Sequence, residues 1–169
     1  MIFTSQSGLT DYTRGGEWDG WYLEHLTTMV TVPGIGSAQR FKTDHPDHPP
    51  SLAMYTIASE SVFRDPYYLS IRGMGEWLPM IERRFYRRNL FRGLDTAPRV
   101  ADDLRLIVVD TPAPDVVIPG LTLSWLEAVG LDGTTPWRGI AVVNAGVAAD
   151  VPAHVGAVYQ PATRCMVSM

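Results

Sequence analysis

The chain has 169 residues, 46% of them hydrophobic and 19% charged, with a formal net charge of −4 and a sequence pI of about 5.5. That size and apolar content suffice for one compact core, and the mild acidity excludes nucleic acid and anionic membrane surfaces held by general electrostatics. Cys165 is the single cysteine, which excludes an internal disulfide and argues against a thiolate metal site within one chain. The first residues lack the basic start and apolar run of a secretory signal. No uninterrupted apolar segment reaches the roughly 18 residues of a spanning helix. A soluble, cytoplasmic globular domain with no membrane partner is the expectation.

Residues 2–7 form a short strand, and a polar, glycine-containing connection follows to residue 16. Trp18, Trp21, Tyr22, His25, Leu26 and Met29 then recur at steps of three and four, which predicts a helix over 17–31. Three aromatic rings and His25 share its face. Val32-Pro33-Gly34 ends it. Residues 35–42 read as a strand and 43–50 as a proline-broken loop. Residues 51–59 form a second strand, apolar on both faces and therefore central. The two strands form an antiparallel hairpin. After a glycine-broken aromatic segment, Trp77, Ile81, Phe85 and Leu90/Phe91 predict a second helix over 76–91, with Arg83, Arg84, Arg87 and Arg88 as a basic stripe. Leu104 to Val109 is the plainest strand in the chain.

Up to residue 110 the order is strand, helix, strand, strand, helix, strand. That is the ferredoxin-like βαββαβ arrangement, an α+β fold with both helices on one sheet face. Beyond it, residues 121–129 fit either a strand or a helix, and 138–145, 155–159 and 164–168 fit strands. The domain reading is a unit over 1–110 with a β-rich extension over 111–169 packed on it.

Trp21-Tyr22-Leu23-Glu24-His25, Val32-Pro33-Gly34 and Gln39-Arg40-Phe41, followed by the strand at residue 51, resemble the opening of dimeric α+β barrel proteins. EthD-like and muconolactone-isomerase-like members are the nearest in character. The resemblance implies a homodimer in which two sheets cover each other, and a pocket between sheet and helices in each subunit. It also implies a helix-borne histidine acting there on a small-molecule substrate. Many such proteins carry a second adjacent histidine, where this chain has Leu26.

His25 is therefore the candidate acid/base, with Tyr22 and Tyr55 as hydroxyl partners. Against this stands the plain alternative of a core histidine bonded to a backbone carbonyl or to Tyr55. Trp18, Trp21, Met29, Arg40, Tyr67 and Arg72 are candidate substrate contacts. Within the segment 64–77, Arg64, Tyr67, Tyr68 and Arg72 suit a carboxylate or phenolate, unless that segment is only a surface connection. His45 and His48 have metal-ligand chemistry, but a proline-broken loop lacks the helical spacing of a zinc site. Cys165 has no activating neighbour in sequence.

The functional expectation is a small cofactor-independent enzyme of isomerase, cyclase, lyase or monooxygenase type, acting on an aromatic, polyketide-like or lactone substrate. No cofactor and no metal are expected. The alternatives are a non-catalytic ligand-binding or structural barrel, and a haem or metal protein with His25 as ligand.

Overall fold

The computed structural model describes residues 1–168. Nine strands lie in one antiparallel sheet: β1 Ile2–Ser7, β2 Ile35–Lys42, β3 Ser51–Ile57, β4 Arg87–Arg92, β5 Leu104–Thr111, β6 Ser124–Leu131, β7 Trp137–Asn144, β8 Ala157–Pro161 and β9 Met166–Val167. Their order is β3-β1-β4-β6-β7-β5-β8-β2, and β2 also pairs with β3, so eight strands close into a barrel. The short β9 lies beside the start of β2 (Ser37 opposite Val167), while the end of β2 pairs with β8 (Phe41 opposite Pro161). Only α1, Gly15–Met29, is a helix of several turns; α2 Pro66–Ile71 and α3 Ala145–Ala149 are short.

This corrects the fold expected from the sequence. The protein is a closed eight-stranded antiparallel β-barrel, not a ferredoxin-like dimeric α+β barrel, and the EthD-like and muconolactone-isomerase-like resemblance falls with it. The helix expected over 76–91 is absent. In its place are two 3-10 turns, Gly75–Met80 with Pro79 inside it and Arg83–Phe85, and then strand β4. Leu78 precedes that proline and is disfavoured from helical geometry, and Pro79 itself has no amide to donate. The residues after 110 complete the barrel wall as β6, β7 and β8. The sheet face that a second copy was expected to cover is covered by the chain's own later strands.

Side-chain alternation sorts the strands into an inside and an outside. Ile2, Leu52, Met54, Phe91, Leu106, Val108, Leu126, Ile140 and Tyr159 fill the barrel. Phe3, Ala53, Tyr55 and Leu90 point outward and are covered by Tyr22, Leu26 and Met29 of α1. On another side Ile107 and Val109 are covered by Ile118, Ala148 and Val151. Gly93 turns the chain out of β4 at φ +124, where a Cβ would stand 2.5 Å from the Trp125 carbonyl oxygen. Only glycine fits both the conformation and the approach.

One buried cation enters this apolar filling and pairs with a carboxylate that is partly open to solvent. Arg138 is fully buried and forks onto Asp110, Nε to Oδ1 at 2.6 Å and Nη2 to Oδ2 at 2.7 Å. Its remaining donors reach Thr4 Oγ1 (3.1 Å) and Gln6 Oε1 (2.8 Å), and its plane lies over the Phe91 ring. A bidentate, fully hydrogen-bonded pair of this kind is costly to break from one side. Asp110→Ala is expected to lower stability by about 2–4 kcal/mol, because it strands a buried guanidinium. The double replacement Arg138→Met with Asp110→Leu is expected to recover most of that. Urea melts of the three proteins check both expectations.

Candidate active site

His25 lies on the third turn of α1, one turn beyond Trp21 and beside Tyr22. Its ring stacks on Trp21 with centroids 4.9 Å apart and planes 8° apart. Tyr22 meets the same ring edge-on at 6.0 Å. Successive turns of one helix face bring these three side chains together. Among the described residues no protein group hydrogen-bonds to either ring nitrogen of His25, and neither nitrogen is among the sealed, unpartnered polar atoms. The expected alternative, a core histidine tied to a carbonyl or to Tyr55, is therefore not what the helix builds.

A cavity of about 20 Å³ opens onto His25. Its wall comes from five elements. Strand β1 gives Phe3 and Ser5, α1 gives Tyr22 and Met29, and β3 gives Tyr55. Tyr68, Arg72, Gly73 and Met74 form the cover, and Tyr86 and Arg88 enter from the start of β4. The volume matches one water-sized group. Gly73 and Gly75 take φ values of +95 and +50, so the cover turns sharply over the mouth at positions suited to glycine.

The electrostatics of this wall are unusual. Burial pushes the His25 ring down to about 4, so it is a neutral imidazole at physiological pH. Burial likewise raises the Tyr55 hydroxyl well above its ordinary value, with Tyr22 and Tyr68 adding to the effect. Tyr22 is raised by burial too, while Arg40 and the Ser7 and Ser5 hydroxyls oppose the shift. Tyr55 is 1% exposed and lines the cavity, and its hydroxyl makes no hydrogen bond to the described residues.

The structure brings five of the nine sequence candidates to this cavity: His25, Tyr22, Tyr55, Met29 and Arg72. Trp21 supports from behind through its stack on His25. Arg40 and Trp18 lie elsewhere. Arg40 is buried beneath Trp18 and Tyr22, with its carbon centre 4.5 and 4.2 Å from their ring centroids. It bonds to Ser51 and Asp19, so its role is to hold α1 on the sheet. Trp18 lines a separate cleft of about 580 Å³ with Tyr12, Lys42, His45 and Arg84. Tyr67 is exposed and its hydroxyl meets Thr31.

Of the segment 64–77, Tyr68 joins Arg72 at the cavity, while Arg64 and Tyr67 do not. Tyr86 and Arg88 were hidden in a misassigned helix, and only the alternation Arg88, Leu90 on one side and Asn89, Phe91 on the other would have revealed them. The rings of His45 and His48 are 4.9 Å apart, and His48 bonds to the Ala153 carbonyl. Among the described residues no group of three His, Cys, Asp or Glu side chains converges as a metal site would require. A groove of about 1060 Å³ past the end of α1 has, among the described residues, Asp95 as its only acidic or basic side chain and carries no acid/base constellation. Among the described residues no helix is long and apolar enough to cross a membrane.

Comparison with protein-family models, curated proteins and solved structures finds no match to this chain.

The His25 environment has a direct consequence for pH. The folded chain leaves the ring unprotonated until about pH 4, whereas an unfolded imidazole binds its proton below about 6.5. The unfolded state thus binds more protons between those values, and stability falls as pH drops through that window. The loss is at most about 3 kcal/mol, and less because the ring is partly exposed. A protonated imidazole stacked on an indole quenches its emission, so the Trp21-dependent fluorescence is expected to fall with a midpoint near pH 4. Trp21→Phe should remove that transition. A midpoint near 6.5 would show that the ring is solvated.

Proposed function

We propose that the protein is a cofactor-independent acid–base enzyme that moves a proton on a small enolisable substrate at the His25 cavity. The observation that carries this reading is the convergence of two unspent polar groups on one space, the unbonded His25 ring and the unpartnered Tyr55 hydroxyl. In the reaction, His25 takes a proton from the carbon next to a carbonyl. The electron pair moves onto the carbonyl oxygen, which accepts hydrogen bonds from Tyr55 and Tyr22. Return of the same proton at a second carbon completes an isomerisation, with no change in oxidation state. Isomerase, cyclase and lyase chemistry share that first step, and an aromatic or lactone substrate fits the ring-lined wall.

A second reading, a non-catalytic ligand-binding barrel, is favoured by one measurement. About 20 Å³ admits no organic substrate unless the Arg72–Gly75 cover moves. The two readings separate in heavy water. Wild-type protein is expected to speed deuterium uptake at the α-carbon of some members of a panel of butenolides and aryl ketones, followed by proton NMR. His25→Gln should slow that uptake by about 10²–10³-fold, and Tyr55→Phe by about tenfold. Uptake no faster with wild type than with His25→Gln, across the panel, leaves only the binding reading.

A further inference from the structure

The cavity wall carries two positive charges and no negative one. Arg72 and Arg88 both line it, and no Asp or Glu does. Neither guanidinium makes a salt bridge or a side-chain hydrogen bond among the described residues, although several other arginines do. Arg14 is paired with Glu17, Arg84 with Glu82, Arg92 with Glu127 and Arg138 with Asp110. Arg72 and Arg88 come to this wall from different elements, the end of α2 and the start of β4, and Tyr68, a residue only 3% exposed, lines it with them. Two like charges on one small cavity wall repel each other. In a protein of net charge −4, that arrangement leaves a local site for an anion.

We infer that the substrate of the His25 site carries a carboxylate, which Arg72 and Arg88 bind between them at the mouth beside Tyr68. This rests on the proposed acid–base reading for the word substrate, but the anion site itself does not. Arg72 is exposed and sits where the backbone turns at Gly73, so it is the outer of the two and meets the carboxylate first. Arg88 is half-buried and fixed to β4, whose backbone amide at that residue is held by Asp132 at 2.7 Å. The carboxylate would thus be anchored on the β4 side and closed over by the exposed Arg72 side chain. The remainder of the substrate would then be directed inward, towards His25 and Tyr55.

Benzoate and its neutral isostere benzamide test this by titration calorimetry at low ionic strength. Benzoate is expected to bind at least tenfold more tightly than benzamide. Arg72→Gln and Arg88→Gln should each weaken benzoate by about tenfold or more, as expected for loss of a charge-assisted contact. Arg88→Lys should recover part of the loss, which guards against a folding defect in the glutamine variant. Arg83→Gln, which alters an exposed arginine outside the cavity, should leave the affinity unchanged. Equal binding of benzoate and benzamide, no benzoate binding, or an affinity unchanged in both glutamine variants overturns the inference.

The fate of the acid–base reading is read separately. His25→Gln should retain benzoate binding. Arginine-dependent benzoate binding without any His25-dependent deuterium uptake leaves the anion site standing and the enzyme reading fallen. His25-dependent uptake on neutral lactones alone, with no benzoate binding, gives the reverse.

Discussion

Strands β1 and β3 are buried on both faces, and the architecture follows from that constraint. Every residue of β1 from Ile2 to Ser7 is buried, and β3 is nearly so. A strand of this kind needs two separate covers, because its side chains alternate between opposite sides. One cover is the barrel interior, closed by β5 to β8. The other is α1, laid along the outer face. Removing either would return a row of apolar side chains to water at about 25 cal/mol per Å². The helix that carries His25 is therefore fixed to the sheet by the same burial that folds the chain.

Polar groups in these layers fall into two kinds. Arg138 and Arg40 are almost wholly enclosed, and each is built into a frame of carboxylate, hydroxyl and aromatic face. Those charges are structural, since their donors are largely used by the chain. Around His25 the balance differs. His25, Tyr55, Arg72 and Arg88 have bonding capacity that the chain does not use, although their backbones are held by α1, β3, α2 and β4. Preorganised, unspent polar groups on rigid elements are what separates a site from a packed core.

The sequence was most legible where periodicity and termination agreed. The helix expected over 17–31 is present as Gly15–Met29, and the strands around 35–42 and 51–59 are present and paired antiparallel. Their signals were local: three- and four-residue spacing, a Pro-Gly stop, a proline-broken loop. The failure between 76 and 91 has an equally local cause. Trp77, Ile81 and Phe85 imitate helical spacing, but Pro79 stands inside the run and should have outweighed it. A helix there replaces β4, makes Leu104 to Val109 the fourth strand of a small α+β unit, and scatters Tyr86 and Arg88 over a helical surface. Barrel closure itself was not readable, because it depends on β4 pairing with β6 and β2 with β8, contacts with no local signature. His25, Tyr22 and Tyr55 were readable because helix face and central strand were both correct.

The low affinity of His25 for a proton bears on how such a site divides its labour. With the ring pushed down to about 4, placing a proton on it at pH 7 costs about 4 kcal/mol before any substrate contribution. A negative charge formed on a substrate oxygen beside Tyr55 reverses the sign, because the imidazolium then faces an opposite charge inside a poorly solvated space. In the proposed reaction, tyrosine hydroxyls and arginines would favour the oxyanion, and the oxyanion would in turn favour the proton on His25, so that proton transfer and charge formation become one event. A neutral histidine among phenols and unpaired arginines suits a reaction whose charge exists only part-way through, and suits poorly a resting ion pair or a purely structural hydrogen bond.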